Sequence, residues 1–513
     1  MKHTPLFDQH VRDASTVINL KGFARAMEYR GHLAEHEAVR NAAGLCDVSH
    51  MGELEFKGPD ALALVQKLIT NDAAKLAVDQ ALYSVMCNEK GGVIDDLVCF
   101  RLGHEHFLWV VNVTKTDEDH QWVLKHAAGM NVEVRNLSTD TALMALQGPA
   151  SREILQRICK ADLSALGYYR LAQTTIHTAQ AEVPCIVSRT GYTGEVGYEI
   201  MTGKDGAGWV WDELMMVGRP LGLLEAGVAA RETLRTEAGY LLNGNDMDSA
   251  TNPLEAGVGW TVKFGKKDFI GKAALEEIRK KGLARRMVGL EVQARYTVRH
   301  GYPLYRNGKE VGRVTSGPLW SKSGPGRSLG LGYVAAEHAA TGGELEVDIR
   351  GERCKARIVD LPLSPRSVRN EPSINTWSPY GLRYSGAHFW IHAEGGIATL
   401  GLTEYGQRTL GTVLCAKLPA KGDKVKAGSP LGWLDSYRRP FDLVSPVSGE
   451  VVGVDEALAR EPSRINKYPY LRSGIVQIRM AGEPAGLVGF EDHAALVASL
   501  SRYSAWSNDR RVF

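Results

Sequence analysis

The chain has 513 residues, too many for one hydrophobic core, and its length sets an expectation of three or four domains. Its apolar share of 44% and charged share of 23% are ordinary for a globular protein, and no run approaches membrane-spanning length. A net charge of +2 supplies no basic field for nucleic acid or an anionic membrane. The cysteines number seven and are scattered, with no CxxC or Cys/His spacing, so buried thiols in a reducing compartment are expected, with no metal site. Met1-Lys2-His3-Thr4-Pro5-Leu6 lacks the apolar core of a signal peptide, which points to the cytoplasm.

In chain order, residues 32–43 predict a short helix stopping at Gly44. Residues 53–56 alternate as a strand, and Gly58-Pro59-Asp60 starts a helix with Leu62, Val65, Leu68 and Ile69 on one face. Residues 83–86 predict a strand that feeds Gly91-Gly92, where two glycines permit a tight turn with positive φ. Asp95 and Asp96 follow at the entry to the β-prone run 97–100. In an extended segment adjacent side chains point to opposite faces, so only one of the two carboxylates can enter a given cleft. Taken alone the pair is a weak signal, since a hairpin with Asp95 capping the turn and Asp96 solvated explains it more simply. Residues 107–112 predict another strand, and 145–149 close one before a helix from about Ser151. Up to about residue 280 the chain therefore reads as an α+β architecture. Residues 287–361 read as a small β domain, and Pro362, Pro365 and Pro372 punctuate a polar linker. Beyond Leu382 a second β module has strands expected at 395–402, 412–418, 451–454 and 474–479, then a helix near 492–500.

A series of ordered motifs runs through this frame: Thr4-Pro5-Leu6, Glu35-His36-x-Ala38-Val39-Arg40, Asp47-Val48-Ser49-His50-Met51, Leu82-Tyr83-Ser84, Gly91-Gly92-Val93-Ile94-Asp95-Asp96-Leu97 and Gln147-Gly148-Pro149. It continues with Thr190-Gly191-Tyr192-Thr193-Gly194-Glu195-x-Gly197-Tyr198-Glu199-Ile200, Ala230-Arg231-Glu232-Thr233-Leu234-Arg235-x-Glu237-Ala238-Gly239 and Gly312-x-Val314-Thr315-Ser316-Gly317. On these residues the first 370 positions or so resemble the T-protein of the glycine cleavage system, the aminomethyltransferase family that uses tetrahydrofolate. The resemblance implies an α+β cloverleaf of three subdomains around a folate channel. Residues 1–284 would form two α+β subdomains and 285–366 a small β-barrel. It also implies that Asp96 is the catalytic carboxylate, keeping the attacking and leaving nitrogens in register beside a developing cation. Glu199 matches the pterin-binding glutamate, and Arg231 matches an arginine of the folate site. Met51, Tyr83, Leu97, Asn112, Tyr192 and Trp260 match positions that line the channel. Ordinary core is the competing reading for the apolar ones, and a structural ion pair for Glu199 and Arg231. Tyr240 places a phenol where the family is expected to be apolar, a candidate proton donor to a leaving group against half-buried packing.

After a linker at 367–382, residues 383–513 carry Gly401-Leu402-Thr403-Glu404-Tyr405-Gly406-Gln407, Leu418-Pro419-x-x-Gly422-Asp423-x-Val425-x-Ala427-Gly428, Ser445-Pro446-Val447-Ser448-Gly449-Glu450-Val451-Val452 and Ile465-Asn466-x-x-Pro469-Tyr470. These resemble the H-protein, the lipoyl carrier of the same system, and imply a β-rich barrel with a hairpin that presents one lysine. Here the hairpin reads Asp435-Ser436-Tyr437-Arg438-Arg439-Pro440, with Arg438 at the lysine position. Lipoylation needs an amine that can be deprotonated, and a guanidinium stays protonated, so no lipoate is expected. A second departure is Gly22-Phe23-Ala24-Arg25-Ala26-Met27, where T-proteins carry Gly-Trp followed two residues later by Met-Pro or a similar pair.

Tetrahydrofolate is thus the expected cofactor, with no nucleic-acid or membrane partner and no oligomeric state set by the sequence. Without its own lipoyl arm, the chain is expected to be a demethylase that moves a methyl group from a small N-, O- or S-methyl compound to tetrahydrofolate, with Arg438 and Arg439 as candidate substrate contacts. The alternatives are an aminomethyltransferase served by a separate lipoylated H-protein and a non-catalytic folate-binding scaffold.

Overall fold

The computed structural model describes residues 1–294, 296–317, 327–363 and 382–403 in continuous runs, then 406–407, 413–436, 440–460, 464–467, 474–482 and short stretches up to 496. The chain divides into two compact units, Met1–Cys159 with Leu166–Glu371, and Lys160–Ala165 with Pro372–Phe513.

In the first unit the Gly91-Gly92 turn joins strands Gln80–Cys87 and Val93–Gly103 in an antiparallel pair. His106–Val111, Gly52–Lys57 and Glu133–Asn136 complete this five-stranded sheet in that spatial order. Helices Ala61–Leu68 and Thr116–Ala127 flank a core that includes Leu54, Phe56, Leu64, Phe107, Trp109 and Val123. The helix after Gly58-Pro59-Asp60 buries Ala61, Leu64, Val65 and Leu68, whereas Leu62 is only half-buried and Ile69 has left the helix. A period of 3.6 residues carries Leu62 off the stripe that starts at Ala61.

The helix expected at 32–43 ends at Asn41, and Ala43–Asp47 is instead a strand. It joins a six-stranded sheet ordered Leu171–His177, Glu182–Ser188, Gly197–Gly203, Thr141–Gln147, Ala43–Asp47 and Leu223–Glu225. A hairpin, Thr16–Leu20 with Phe23–Glu28, has no counterpart in the sequence reading. The small β domain is a closed six-stranded barrel running from Arg285–Gln293 to Glu352–Val359.

Several motif residues turn out to hold the frame. Glu35 accepts hydrogen bonds from the amides of Tyr29, Arg30 and Gly227, which ties the hairpin to the start of helix Val228–Glu237. Arg40, 5% exposed, donates to Glu195 (3.0 Å), Glu237 (2.6 Å) and the Thr193 carbonyl (2.9 Å). Arg235, at 0% exposure, donates to Asp246 (2.7 Å) and to Ser316 of the barrel (2.8 Å). Such buried charges persist because each has a partner.

The second unit has a six-stranded sheet, ordered Arg383–Tyr384, Phe389–Glu394, Ile397–Leu402, Val476–Met480, Gly449–Val454 and Lys424–Val425. A three-stranded sheet, Val413–Lys417, Pro430–Ser436 and Phe441–Val444, shares its core through Val413, Leu434 and Leu443. Arg438 and Arg439, the linker span 364–381 and most of the helix expected at 492–500 lie outside the described residues. Six cysteines are buried as expected, but Cys415 is exposed on the outer face of its strand. No described helix is long and apolar enough to cross a membrane.

Candidate active site

Strand alternation separates the adjacent carboxylates. Asp96 lies on the same face as Tyr83 of the neighbouring strand, whose hydroxyl donates to Asp96 Oδ2 at 3.0 Å. Asn112 stands just past the end of strand His106–Val111 and bridges the pair. Its Nδ2 donates to Asp96 Oδ1 (2.9 Å) and Asp95 Oδ1 (2.8 Å), and its amide donates to Asp95 Oδ2 (2.9 Å). Asp95 is fully buried, and a third carboxyl lies against it: Asp119, from helix Thr116–Ala127, is also at 0% exposure. Neither Asp119 oxygen meets a hydrogen-bond donor among the described residues.

Burial, reinforced by the charge of Asp95, pushes Asp96 up to about 7 and Asp119 up to about 10. Asp95 is raised as well, chiefly by burial, and its hydrogen bonds from the Asp119 carboxyl and from Asn112 oppose that rise. Near neutral pH the cluster therefore holds protons, and Asp96 is its readily exchanging member. Leu97, expected to line a channel, is 2% exposed and packs into the sheet's apolar core, because the alternation that presents Asp96 turns Leu97 away.

A second group forms on the six-stranded sheet. Glu199, on strand Gly197–Gly203, accepts a short hydrogen bond from the Thr190 hydroxyl through Oε2, while Oε1 meets no donor among the described residues. Burial raises its pKa, opposed by Thr190 and Arg231. Two side chains meet the Tyr192 ring: the Arg231 guanidinium lies 4.8 Å from its centroid, and the Tyr240 ring stacks at 5.7 Å and 28°. Trp260, 60% exposed, stacks on Tyr83 at 5.8 Å and 29°. Met51 is half-buried against a core that includes Phe100 and Val110.

Two links join the groups. Asn243 Nδ2 donates to the Ile94 carbonyl (3.3 Å), anchoring the chain after Tyr240 to the Asp96 strand, and the charge of Asp96 reaches Tyr192. The half-satisfied Glu199 carboxylate, with Arg231 and the Tyr192 ring nearby, fits a planar heterocycle that offers N–H donors, as a pterin does. Asp119, Thr190 and Arg25 are the neighbouring residues that sequence reasoning missed.

Family models match three consecutive segments: the GCVT N-terminal domain at residues 6–266, the glycine cleavage T-protein C-terminal barrel domain at 285–364, and the glycine cleavage H-protein at 382–498. The aminomethyltransferase of Halothermothrix orenii is 44% identical over 362 residues, covering 71% of this chain and 99% of that protein. This chain belongs to the glycine cleavage T-protein family. The Moorella thermoacetica aminomethyltransferase is likewise 44% identical, over 366 residues, with 71% and 98% covered. The structure of glycine cleavage system aminomethyltransferase T from Bartonella henselae matches with a TM-score of 0.66 at 31% identity, covering 72% of this chain and 99% of that one. The first unit thus has the T-protein fold, and the C-terminal β-rich part is H-protein-like. As a member of the T-protein family, the chain is a tetrahydrofolate-dependent one-carbon transferase of the aminomethyltransferase class.

Proposed function

We propose that this enzyme transfers an aminomethyl group to tetrahydrofolate, the group arriving on a separate lipoylated H-protein. The observation that carries this reading is Asp96, clamped by Tyr83 and Asn112 in a buried acid cluster, in a chain 71% of which aligns with almost the whole length of an aminomethyltransferase. These relatives favour aminomethyl transfer over the methyl transfer expected from a small methylated donor.

Tetrahydrofolate supplies the nitrogen nucleophile that takes up the one-carbon unit. The open Oε1 of Glu199 would accept from the donor edge of the pterin, with Thr190 holding the other oxygen. The rings of Tyr83, Trp260 and Tyr192 give it flat walls, and Arg231 keeps the Tyr192 ring in place. Tyr83 and Asn112 fix both Asp96 oxygens, so its charge would need no reorganisation to stabilise a cation developing beside it. A value of about 7 lets Asp96 give or take a proton as the ammonia leaves. Tyr240 is stacked on Tyr192, and in this reading it supports that ring rather than donating a proton.

The H-like part holds Arg438 where a carrier needs lysine, so the lipoyl arm is supplied in trans. The test is carrier dependence. Ammonia release with tetrahydrofolate should require aminomethyl-loaded, lipoylated H-protein; folate binding without any release would instead indicate a scaffold.

A further inference from the structure

The Gly22–Met27 departure places a charged residue inside the fold. Arg25, on strand Phe23–Glu28, is 8% exposed, yet no carboxylate pairs with its guanidinium among the described residues. It lines a narrow cleft together with Arg231 and with Gly227 and Val228 at the start of helix Val228–Glu237. Arg231 likewise has no ion pair among the described residues; its guanidinium lies over the Tyr192 ring.

The helix terminus adds a field of the same sign. Glu35 takes up the Gly227 amide, whereas the amides of Val228, Ala229 and Ala230 meet no acceptor among the described residues. Unpaired first-turn amides and the helix dipole favour an anion at this end. A Cβ on Gly227 would fall 2.3 Å from the Met27 carbonyl, so the close approach of hairpin and helix requires glycine. The one carboxylate in the cleft wall, Asp47, is already engaged: Thr4 and His10 donate to Oδ2, both at 2.7 Å, and the Ser49 amide donates to Oδ1 at 2.8 Å. Nearby His50, 4% exposed, is driven well below its ordinary value by burial and then by Arg25, Arg231 and Lys21. Asp47 and Glu232 act on Arg25 with opposite charge, but neither forms an ion pair with its guanidinium.

We propose that Arg25, Arg231 and the first turn of helix Val228–Glu237 form a binding site for a ligand carboxylate. Burial and Arg231 push Arg25 down to about 10, so it remains charged at neutral pH and needs a counter-ion. A carboxylate matches two guanidiniums and a row of amides in both charge and acceptor geometry. Two sources share that chemistry: the glutamyl tail of the folate, and a small one-carbon donor that carries a carboxylate. The site goes beyond the transfer reading and stands whichever donor is used.

Equilibrium titration calorimetry on the full-length protein tests it without turnover, so a failure of the transfer reading would not obscure the result. The probes are two pairs: tetrahydrofolate against its glutamyl bis-amide, and N-methylglycine against N-methylglycinamide. In at least one pair the carboxylate form should bind about ten-fold or more tightly than the amide. Discrimination in the first pair assigns the site to the folate tail, and in the second to a small donor. Arg25→Met should abolish the preference and raise the melting temperature of the ligand-free protein, since an unpaired buried charge is gone. Arg25→Lys keeps the charge but not the fork, and should retain part of the preference. Equal affinities within both pairs for the parent protein would overturn the site, as would a preference that survives Arg25→Met intact.

Discussion

Burial lifts Asp96 to about 7 and Asp119 to about 10, so both keep protons that an unfolded chain releases near pH 4. A folded value above the unfolded one gives stability that is complete below about pH 4 and drains as pH rises towards the folded value. For Asp119 that window runs from about 4 to about 10. Asp119→Asn removes the drain, so its advantage over the parent should be small at pH 5 and grow towards pH 9, by at most about 1.4 kcal/mol per pH unit. Thermal melts across pH check this; an offset independent of pH would contradict the buried acid. Asp96→Asn keeps the shape and one acceptor but loses the exchangeable proton. It should lower kcat by about 10²–10⁴-fold while folate affinity, measured by fluorescence titration, stays within a few-fold. Asp96, Glu199 and Arg231 were legible in the sequence as motif residues. Asp119 was not, because Asp117, Glu118 and Asp119 look alike in the acidic first turn of a helix, where the dipole alone accounts for them. Tertiary packing exposes the first two and buries the third.

The Gly91-Gly92 turn shows why two adjacent glycines differ at the scale of an element. Gly91 has φ +82°, and a Cβ there would come 3.1 Å from the Leu275 side chain. A Cβ on Gly92 would meet the Ser249 carbonyl at 1.8 Å, so alanine there must displace the backbone of the segment between Tyr240 and Trp260. Gly91→Ala is expected to cost about 1 kcal/mol from the left-handed backbone, and Gly92→Ala about 2–3 kcal/mol from displaced packing. Urea unfolding should rank them in that order, with loss of the Tyr83–Trp260 stack only in Gly92→Ala; the reverse ranking would contradict the contact. The turn and its strands were readable because glycine and β-branched runs bracket them. Strand Ala43–Asp47 was not, since its small residues continue a helical pattern until the sheet claims them. The hairpin Thr16–Leu20 with Phe23–Glu28 was hidden by the charges of Lys21, Arg25 and Glu28, which break the alternation that marks a half-buried strand.

For the whole molecule, motif order along the sequence was enough to place a T-protein body ahead of an H-like part, because folate-site residues recur at fixed places on the chain. The one-carbon donor was not fixed in the same way, since donor choice depends on what reaches Asp96 rather than on the fold. The arginine at position 438 gives a direct prediction: protein isolated from cells competent for lipoylation should show the bare polypeptide mass by intact mass spectrometry, and a lipoyl adduct on the C-terminal part would contradict supply in trans. The central claim rests on the folate product. The purified enzyme would be given tetrahydrofolate with aminomethyl-loaded H-protein in one tube, and with pooled N-, O- and S-methyl compounds in another, and the folates resolved by mass. Aminomethyl transfer predicts 5,10-methylenetetrahydrofolate in the first tube and unchanged folate in the second; 5-methyltetrahydrofolate in the second tube, with nothing formed in the first, would contradict it.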